Sequence, residues 1–167
     1  GAERVAVLDD ALFAQVSTLE SPASMGFLLE WAAEVQPRFQ PDVDSVVLDR
    51  IQDAGNVGSI LRSASALGFK QVLALKGTAA LWSPKVLRAG MGAHFGLQLH
   101  EGLTLEQLEV LQVPLLVTHL QGSTPLHEAN LPSPCAWVLG HEGQGVQEAL
   151  VQRASQLLRI AQPGGEE

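Results

Sequence analysis

The sequence predicts an α/β fold of three layers, in which helices cover both faces of a mostly parallel β-sheet. From Asp44 onwards, short apolar runs typical of buried strands alternate with amphipathic segments typical of helices. Such alternation is characteristic of parallel sheets whose strands are joined by helices. The chain has 167 residues, of which 46% are hydrophobic, so it can bury a substantial core.

The first part of the chain has a different pattern. A short strand is predicted at residues 4–8 and a short helix at about 9–16. A further strand is predicted at 26–31, and the two prolines within 37–44 indicate a linker.

Six strands and four helices are predicted in the remainder. The strands are short runs rich in valine, leucine and isoleucine, at residues 45–49, 71–75, 95–99, 114–119, 136–140 and 157–161. The helices carry apolar residues three or four positions apart, at residues 56–67, 84–93, 104–111 and 145–155. In the first helix the apolar face consists of Val57, Ile60, Leu61, Ala64 and Leu67.

The net charge of −8 disfavours binding to a phosphate backbone, but the charge is unevenly distributed. Residues 1–49 hold nine acids and two bases, and 89–167 hold eight acids and two bases. Residues 50–88 hold six bases and one acid, so this segment is the part predicted to contact a nucleic acid. The alternative is that these six cations are solvated surface charges.

Composition argues against several other classes of protein. The single cysteine, Cys135, allows no internal disulfide and no cysteine-based zinc cluster, and the five histidines lack metal-site spacing. No metal is therefore expected, and without a Gly-x-Gly-x-x-Gly run no Rossmann dinucleotide site is expected either. No apolar run approaches the roughly 20 residues that span a bilayer, and no secretory signal is visible. These observations predict a cytoplasmic protein that is not bound to a membrane.

A glycine-bearing turn joins the first core strand to its helix. Gly55 and Gly58 leave the backbone bare around Asn56, so that a ligand can approach closely. Asn56 and Arg62 lie six residues apart, at the start and in the second turn of the predicted helix. The alternative is an ordinary strand-to-helix connection, in which Asn56 caps the helix and Arg62 is solvated.

Two later strands are each followed by a polar or glycine-rich segment. The strand at 136–139 leads into Gly140-His141-Glu142-Gly143-Gln144-Gly145. The strand at 157–160 leads into Ala161-Gln162-Pro163-Gly164-Gly165.

These three segments, in this order, resemble the SpoU (TrmH) family of RNA ribose methyltransferases within the SPOUT superfamily. The family has an Asn-x-Gly…Arg motif, a Gly-x-Glu-Gly-x-Gly motif and an Ile-x-x-Pro-Gly-like strand exit, and the resemblance covers residues 44–167. One departure is that the third motif of the family continues into a Ser-Leu-Asn segment that opens a C-terminal helix, whereas this chain ends at Glu167. The resemblance implies a SPOUT methyltransferase domain at 41–167 that lacks this helix and contains a C-terminal trefoil knot. Residues 1–40 would then be a remnant or linker of an N-terminal substrate-binding domain.

The resemblance implies S-adenosylmethionine-dependent methylation of a ribose 2′-hydroxyl in structured RNA, with ribosomal RNA favoured over transfer RNA. The alternative is a catalytically inactive RNA-binding or dimerisation module of the same fold. The implied catalytic residues are Asn56, Arg62 and Glu142. Because a guanidinium is rarely neutral, Arg62 is expected to clamp the RNA rather than to act as a base.

The resemblance also implies binding residues and an oligomeric state. The cofactor-binding positions are Thr118, His119, Leu120, Leu139, Gly140, Gly145, Ile160 and Gln162. The predicted RNA-binding residues are Arg50, Lys85 and Arg88, which belong to the basic segment. A homodimer is expected, in which Arg62 of one subunit lies near the cofactor of the other.

Overall fold

The computed structural model describes residues 3–17, 24–28, 39–162 and 164, and the chain divides into two units, Gly1–Gln36 and Pro37–Glu167. In the first unit, helix α1 spans Asp10–Val16, and the Asp9 side chain caps it by accepting a hydrogen bond from the backbone N–H of Leu12 at 2.8 Å. The helix prediction is confirmed. The strand prediction at 4–8 is wrong, because these residues pair with no other described segment. Residues 26–28 are not a strand either, and 29–31 lie outside the described residues.

The second unit contains a seven-stranded sheet in which every pair of neighbouring strands is parallel. The spatial order is β3-β2-β1-β6-β4-β7-β5. The strands are β1 Ser45–Asp49, β2 Gln71–Leu75, β3 Gln98–Leu103, β4 Leu115–Thr118, β5 Thr124–Pro125, β6 Ala136–Gly140 and β7 Gln156–Arg159.

Helices and short 3₁₀ turns connect these strands. The α-helices are α2 Ala54–Ala66, α3 Pro84–Gly90 and α4 Glu148–Val151, and the 3₁₀ turns are Ala93–Gly96, Glu106–Val110 and Leu126–Glu128. No helix of the described ranges has both the length and the apolar character needed to cross a bilayer.

Alternate residues of β1 contribute to two different hydrophobic clusters. Val47 packs with residues of β2, β4 and β6 and with Leu150 of α4. Val46 and Leu48 point to the opposite face, where they pack with a cluster that includes Leu61 of α2. Apolar cores on both faces of a parallel sheet confirm the predicted three-layer α/β class.

The strand order brings the segments that follow β1, β4 and β6 to the same edge of the sheet, at the carboxyl ends of these strands. The chain moves outward from β1 through β2 to β3, and then returns to the other side of β1 through β4 and β6. Asp49 at the end of β1 is the register partner of Gly140 at the end of β6. The carboxyl ends of strands at such a reversal form the crevice in which α/β proteins bind ligands.

The structure differs from the predicted elements at four places. The helix predicted at 84–93 ends at Gly90, because Met91 caps it with a left-handed backbone at φ of 49°. The strand predicted at 95–99 begins only at Gln98, because Ala93–Gly96 forms a 3₁₀ turn. The helix predicted at 104–111 is the 3₁₀ turn Glu106–Val110. The helix predicted at 145–155 shortens to α4, since Gly145 has a left-handed backbone with φ of 68°.

Two smaller corrections concern single elements. Leu67 was expected on the buried face of α2, but it caps the C-terminus of the helix and is exposed. The edge strand β5 was not predicted, because it has only two residues.

Candidate functional site

A cleft of about 290 Å³ lies at the carboxyl ends of β1, β4 and β6. Its lining combines apolar and polar side chains from four segments: Ile51, Asn56, Ser59, Ile60, Thr118, Leu139, Gly140 and Glu142. A larger cleft of about 340 Å³ lies at the ends of β2 and β3, next to Lys76 and Glu101, but no predicted site residue lines it. The smaller cleft is therefore the candidate site.

The start of α2 presents the Asn56 side chain to this cleft. Asp53, not Asn56, caps the helix, because its Oδ1 accepts a hydrogen bond from the backbone N–H of Asn56 at 2.7 Å. The capping role considered for Asn56 is thus filled by another residue. The side-chain amide of Asn56 instead donates from Nδ2 to Oε1 of Glu142 at 3.2 Å.

Glu142 accepts two further hydrogen bonds from the connection between β1 and α2. The backbone N–H of Asp53 donates to Oε1 at 3.2 Å, and that of Gln52 donates to Oε2 at 3.4 Å. The pKa of Glu142 is held below its ordinary value, first by a hydrogen bond from its own backbone N–H and then by these donors and Asn56, although desolvation acts in the opposite direction. The side chain is therefore an ionised, acceptor-only group at neutral pH.

A tight loop carries Glu142. The backbone of His141 exchanges two hydrogen bonds with Gly145, at 3.1 and 2.8 Å, and the His141 ring accepts from the N–H groups of Gly143 and Gln144. Only glycine fits at position 140, since a Cβ there would lie 2.3 Å from the backbone nitrogen of Val146.

Asp49 anchors this loop and was not predicted from the sequence. It is fully buried, and its carboxylate accepts hydrogen bonds from the backbone N–H and the side-chain amide of Gln147, both at 2.7 Å. It also pairs with Arg50, whose Nε lies 3.0 Å from Oδ1. The available signal was a carboxylate at the end of an otherwise apolar strand, where an unpaired charge would be costly.

Three of the predicted cofactor-binding residues line the cleft, namely Thr118, Leu139 and Gly140. The Thr118 hydroxyl donates to the carbonyl of Val138 at 3.1 Å, which fixes its orientation. Gly145 does not line the cleft, and its backbone closes the loop through two hydrogen bonds with His141.

The other predicted cofactor positions lie outside the cleft lining. His119 extends the ladder by donating its N–H to Leu158 at 2.9 Å. Leu120 and Ile160 follow two residues after the paired Thr118 and Leu158 of β4 and β7, and are 61% and 72% exposed. Gln162 is exposed.

The cleft fits the nucleoside part of S-adenosylmethionine. Its volume is close to the lower limit of about 300 Å³ for small-ligand sites, and such sites combine apolar walls with a few polar groups. Ile51, Ile60 and Leu139 supply the walls, and Thr118 supplies a hydroxyl. No cluster of three metal-ligating side chains occurs within the ranges described.

The predicted basic residues do not line the cleft. Arg62 is exposed and lies about 120° around the α2 axis from Asn56. Its side chain makes no hydrogen bond or ion pair with another described residue. Lys85 and Arg88 are exposed on α3, which packs closely against α2 at Gly58. Arg50 differs, because its guanidinium is bound to Asp49.

The fold and the cleft together define an α/β protein that can bind a nucleoside-sized ligand at the carboxyl edge of a parallel sheet. The sequence model of the SpoU rRNA methylase family matches residues 45–167, and the chain belongs to this family.

Individual relatives agree with this assignment. The mitochondrial rRNA methyltransferase 3B of Danio rerio is 38% identical over 112 residues, which are 60% of this chain and 25% of the relative. The 23S rRNA (guanosine(2553)-2'-O)-methyltransferase RlmP of Bacillus subtilis is 28% identical over 150 residues, which are 88% of this chain and 59% of that protein. The AdoMet-bound rRNA methyltransferase from Sinorhizobium meliloti is 30% identical with a TM-score of 0.70, covering 77% of this chain and 51% of that one. The chain thus spans between a quarter and three fifths of the length of these proteins.

Proposed function

We propose that this chain carries the catalytic domain of an S-adenosylmethionine-dependent methyltransferase, which modifies a ribose 2′-hydroxyl in structured ribosomal RNA. The observation that carries the proposal is the contact between Asn56 and Glu142, which lie 86 residues apart in sequence. They meet beside a cleft to which Thr118 and Gly140 also contribute. Membership of the SpoU family supports the reaction, and the names of the relatives support ribosomal RNA as the substrate.

The cofactor would be held by Thr118, Leu139 and Gly140 in the cleft. When bound, it supplies an electrophilic methyl group on a sulfonium. The exposed Leu120 and Ile160, at the ends of neighbouring strands, add apolar surface suited to a planar base, and His119 and Gln162 add polar groups at the same edge. Gly145 contributes by shaping the loop.

Asn56 and Glu142 are proposed to orient the ribose. The Asn56 amide nitrogen is committed to Glu142, which leaves the amide carbonyl to accept a hydrogen bond from a ribose hydroxyl. The ionised Glu142 keeps acceptor capacity beyond its protein donors, since a carboxylate has about four lone-pair sites. Both groups therefore favour a substrate that presents hydroxyl donors.

Arg62 is proposed to act across a homodimer. It is exposed and outside the cleft of its own subunit, so the partner subunit's Arg62 would reach the RNA at this cleft. Its role is a cationic clamp, because a guanidinium is rarely neutral in a protein. Lys85 and Arg88 extend the cationic surface along α3.

Three further features remain proposals: the C-terminal trefoil knot, the division into an accessory part at 1–40 and a methyltransferase domain at 41–167, and a cytoplasmic location. The knot and the domain division are supported by family membership. Relatives named as mitochondrial make an organelle the competing location.

A methyl-transfer assay tests the proposal. The protein is incubated with S-adenosylmethionine carrying a labelled methyl group and with unmodified ribosomal RNA, and 2′-O-methylation is detected as resistance of one phosphodiester bond to alkaline hydrolysis. We expect labelled ribosomal RNA with the wild type and little label with Glu142→Gln. Calorimetric titration of S-adenosylmethionine accompanies the assay.

The outcomes separate the alternatives. Cofactor binding without transfer to any RNA would indicate the inactive RNA-binding module, and transfer to transfer RNA alone would correct the substrate. Sedimentation tests the homodimer, and a monomer at micromolar concentration would contradict the role across subunits proposed for Arg62.

A further inference from the structure

The backbone of Arg50 adopts a conformation that side chains rarely take. Its φ is 60°, in the left-handed region, and Met91 is the other described non-glycine residue with positive φ. Such conformations persist where surrounding contacts determine them, and they cluster at functional sites. Here the backbone N–H donates to the Thr78 hydroxyl at 3.1 Å, and that hydroxyl donates to the carbonyl of Leu48 at 3.1 Å.

The Arg50 side chain uses four of its five N–H donors within the protein. Nε and Nη2 donate to the two oxygens of Asp49 at 3.0 and 3.3 Å. Nη1 donates to the side-chain carbonyl of Gln144 at 3.1 Å, and Nη2 approaches the carbonyl of Gly145 at 3.4 Å. Only 30% of the side chain is exposed, so little of it remains for an external phosphate.

Asp49 binds both ends of the loop at 140–147. The first residue of the loop, Gly140, is the register partner of Asp49 in the sheet. The last residue, Gln147, donates two hydrogen bonds to the Asp49 carboxylate. Together with Arg50, these donors satisfy both oxygens of a carboxylate with no exposed surface, as a buried charge requires.

Glu142 lies between these two anchored ends. The backbones of His141 and Gly145 are also hydrogen-bonded to each other across the loop, which restrains it further. The position of the Glu142 carboxylate against Asn56 therefore depends on the contacts made at the base of the loop.

We propose that Arg50 is a positioning residue, which together with Asp49 holds the loop at 140–147 so that Glu142 meets Asn56. The expected effect on methyl transfer rests on the proposed function, whereas the effect on the position of Glu142 does not. This assignment replaces the role in RNA binding that the sequence suggested for Arg50.

The test compares Arg50→Lys and Arg50→Gly with the wild type. Lysine keeps the charge but loses the fork that pairs with a carboxylate, and glycine adopts positive φ without strain, so both variants are expected to fold. Lys70→Ala is the matched control, because it removes an exposed cation at the opposite edge of the sheet.

The first readout needs neither cofactor nor RNA. Nuclear magnetic resonance follows the side-chain amide signals of Asn56 and the titration of the Glu142 carboxyl. In both Arg50 variants we expect the Asn56 signals to shift and the Glu142 pKa to rise towards its ordinary value, with no change in Lys70→Ala. Unchanged Asn56 signals and an unchanged Glu142 pKa would overturn the proposal.

The second readout separates positioning from RNA binding. Single-turnover methyl transfer should fall by about 10- to 100-fold in both Arg50 variants, as expected when a reacting group is misplaced by about 1 Å, while RNA affinity changes no more than in Lys70→Ala. A phosphate contact would instead lower the slope of log affinity against log salt by about one unit in Arg50→Gly only, and that result would contradict the proposal. If the wild type transfers no methyl group, the proposed function fails, but the resonance experiment still tests the position of Glu142.

Discussion

Two carboxylates hold the loop at 140–147 in place, Asp49 from outside at its base and Glu142 from within it, and they lie in opposite environments. Asp49 at the base of the loop is fully buried and accepts four hydrogen bonds. Glu142 near the tip is exposed, and it accepts from the Asn56 amide and from two backbone N–H groups of the connection between β1 and α2. The buried carboxylate is saturated by the protein and stabilises the loop, whereas the exposed one remains accessible to a ligand.

The largest expected effect on stability comes from removing the buried carboxylate. Asp49→Ala leaves the Arg50 guanidinium and the Gln147 N–H without their acceptor, and breaking a buried ion pair costs about 3–5 kcal/mol. Because Arg50 is 30% exposed, we expect about 3 kcal/mol, measured by urea unfolding. Asp42→Ala, at an exposed position, is the control and should change stability by less than about 0.5 kcal/mol. A loss below about 1 kcal/mol in Asp49→Ala would show that this carboxylate does not anchor the loop.

A methyl group at the base of the loop should have the next largest effect. In Gly140→Ala the new Cβ would lie 2.3 Å from the nitrogen of Val146 and 2.4 Å from the carbonyl carbon of Gly145. These are backbone atoms, so the loop must shift, and overpacking of this kind costs about 1–3 kcal/mol. The matched control is Gly143→Ala near the tip, where the nearest atom would be 3.8 Å away. Equal unfolding midpoints for the two variants would contradict the claim that the loop is tightly packed at its base, at Gly140, and open near its tip, at Gly143.

His100 extends the comparison to a buried side chain whose polar atom has no hydrogen-bond partner among the described residues, whereas the Asp49 carboxylate accepts four hydrogen bonds. It is almost fully buried in β3, its Nε2 has no hydrogen-bond partner among the described residues, and burial lowers its pKa from the ordinary value of 6.5. The unfolded chain therefore binds a proton at a higher pH than the folded one, and stability falls as the pH drops below about 6.5. The expected slope is up to about 1.4 kcal/mol per pH unit.

Substitution isolates this dependence on pH. His100→Leu should flatten the dependence between pH 7 and 5, whereas His127→Gln, at an exposed histidine, should leave it intact. If the unfolding free energy of His100→Leu still falls with the wild-type slope, the dependence belongs to other groups.

The smallest effect on stability is expected at the tip. Glu142→Gln keeps the shape of an exposed side chain, so the free energy of unfolding should change by less than about 1 kcal/mol. Methyl transfer should nevertheless fall far more than cofactor affinity, because Glu142 is proposed to orient the ribose rather than to hold the cofactor. Equal losses of turnover and cofactor affinity would show instead that Glu142 shapes the cofactor pocket.

The sequence predicted much of the sheet, because the periodicity of a strand is a local property. It also predicted that Asn56 and Glu142 belong to one site. The strand at 45–49 and the apolar residues Val57 and Leu61 of the following helix are where the pattern places them. Asn56 and Glu142 lie in segments that follow the carboxyl ends of parallel strands, and such segments meet at one edge of the sheet once the strands are neighbours.

The sequence did not predict the cap of α2, the contact between Asp49 and Gln147, or the start of α4. Each depends on which of several possible contacts forms in the folded protein. Asp53 rather than Asn56 caps α2, and either residue type is a favourable cap. The link from Asp49 to Gln147 joins residues 98 positions apart, which only the fold brings together. The helix predicted from Gly145 is delayed because the extended backbone at Gln147 is bound to Asp49.

A double-mutant cycle of Asn56→Ala and Glu142→Gln tests the central claim, that these two side chains act as one unit in methyl transfer to the ribose. Single-turnover rates are measured for the wild type, both single variants and the double variant, at saturating S-adenosylmethionine and RNA. Residues in direct contact are coupled, so the double variant should lose about as much rate as the more damaging single variant. A loss equal to the product of the two single losses would show that Asn56 and Glu142 act independently, and would contradict the account.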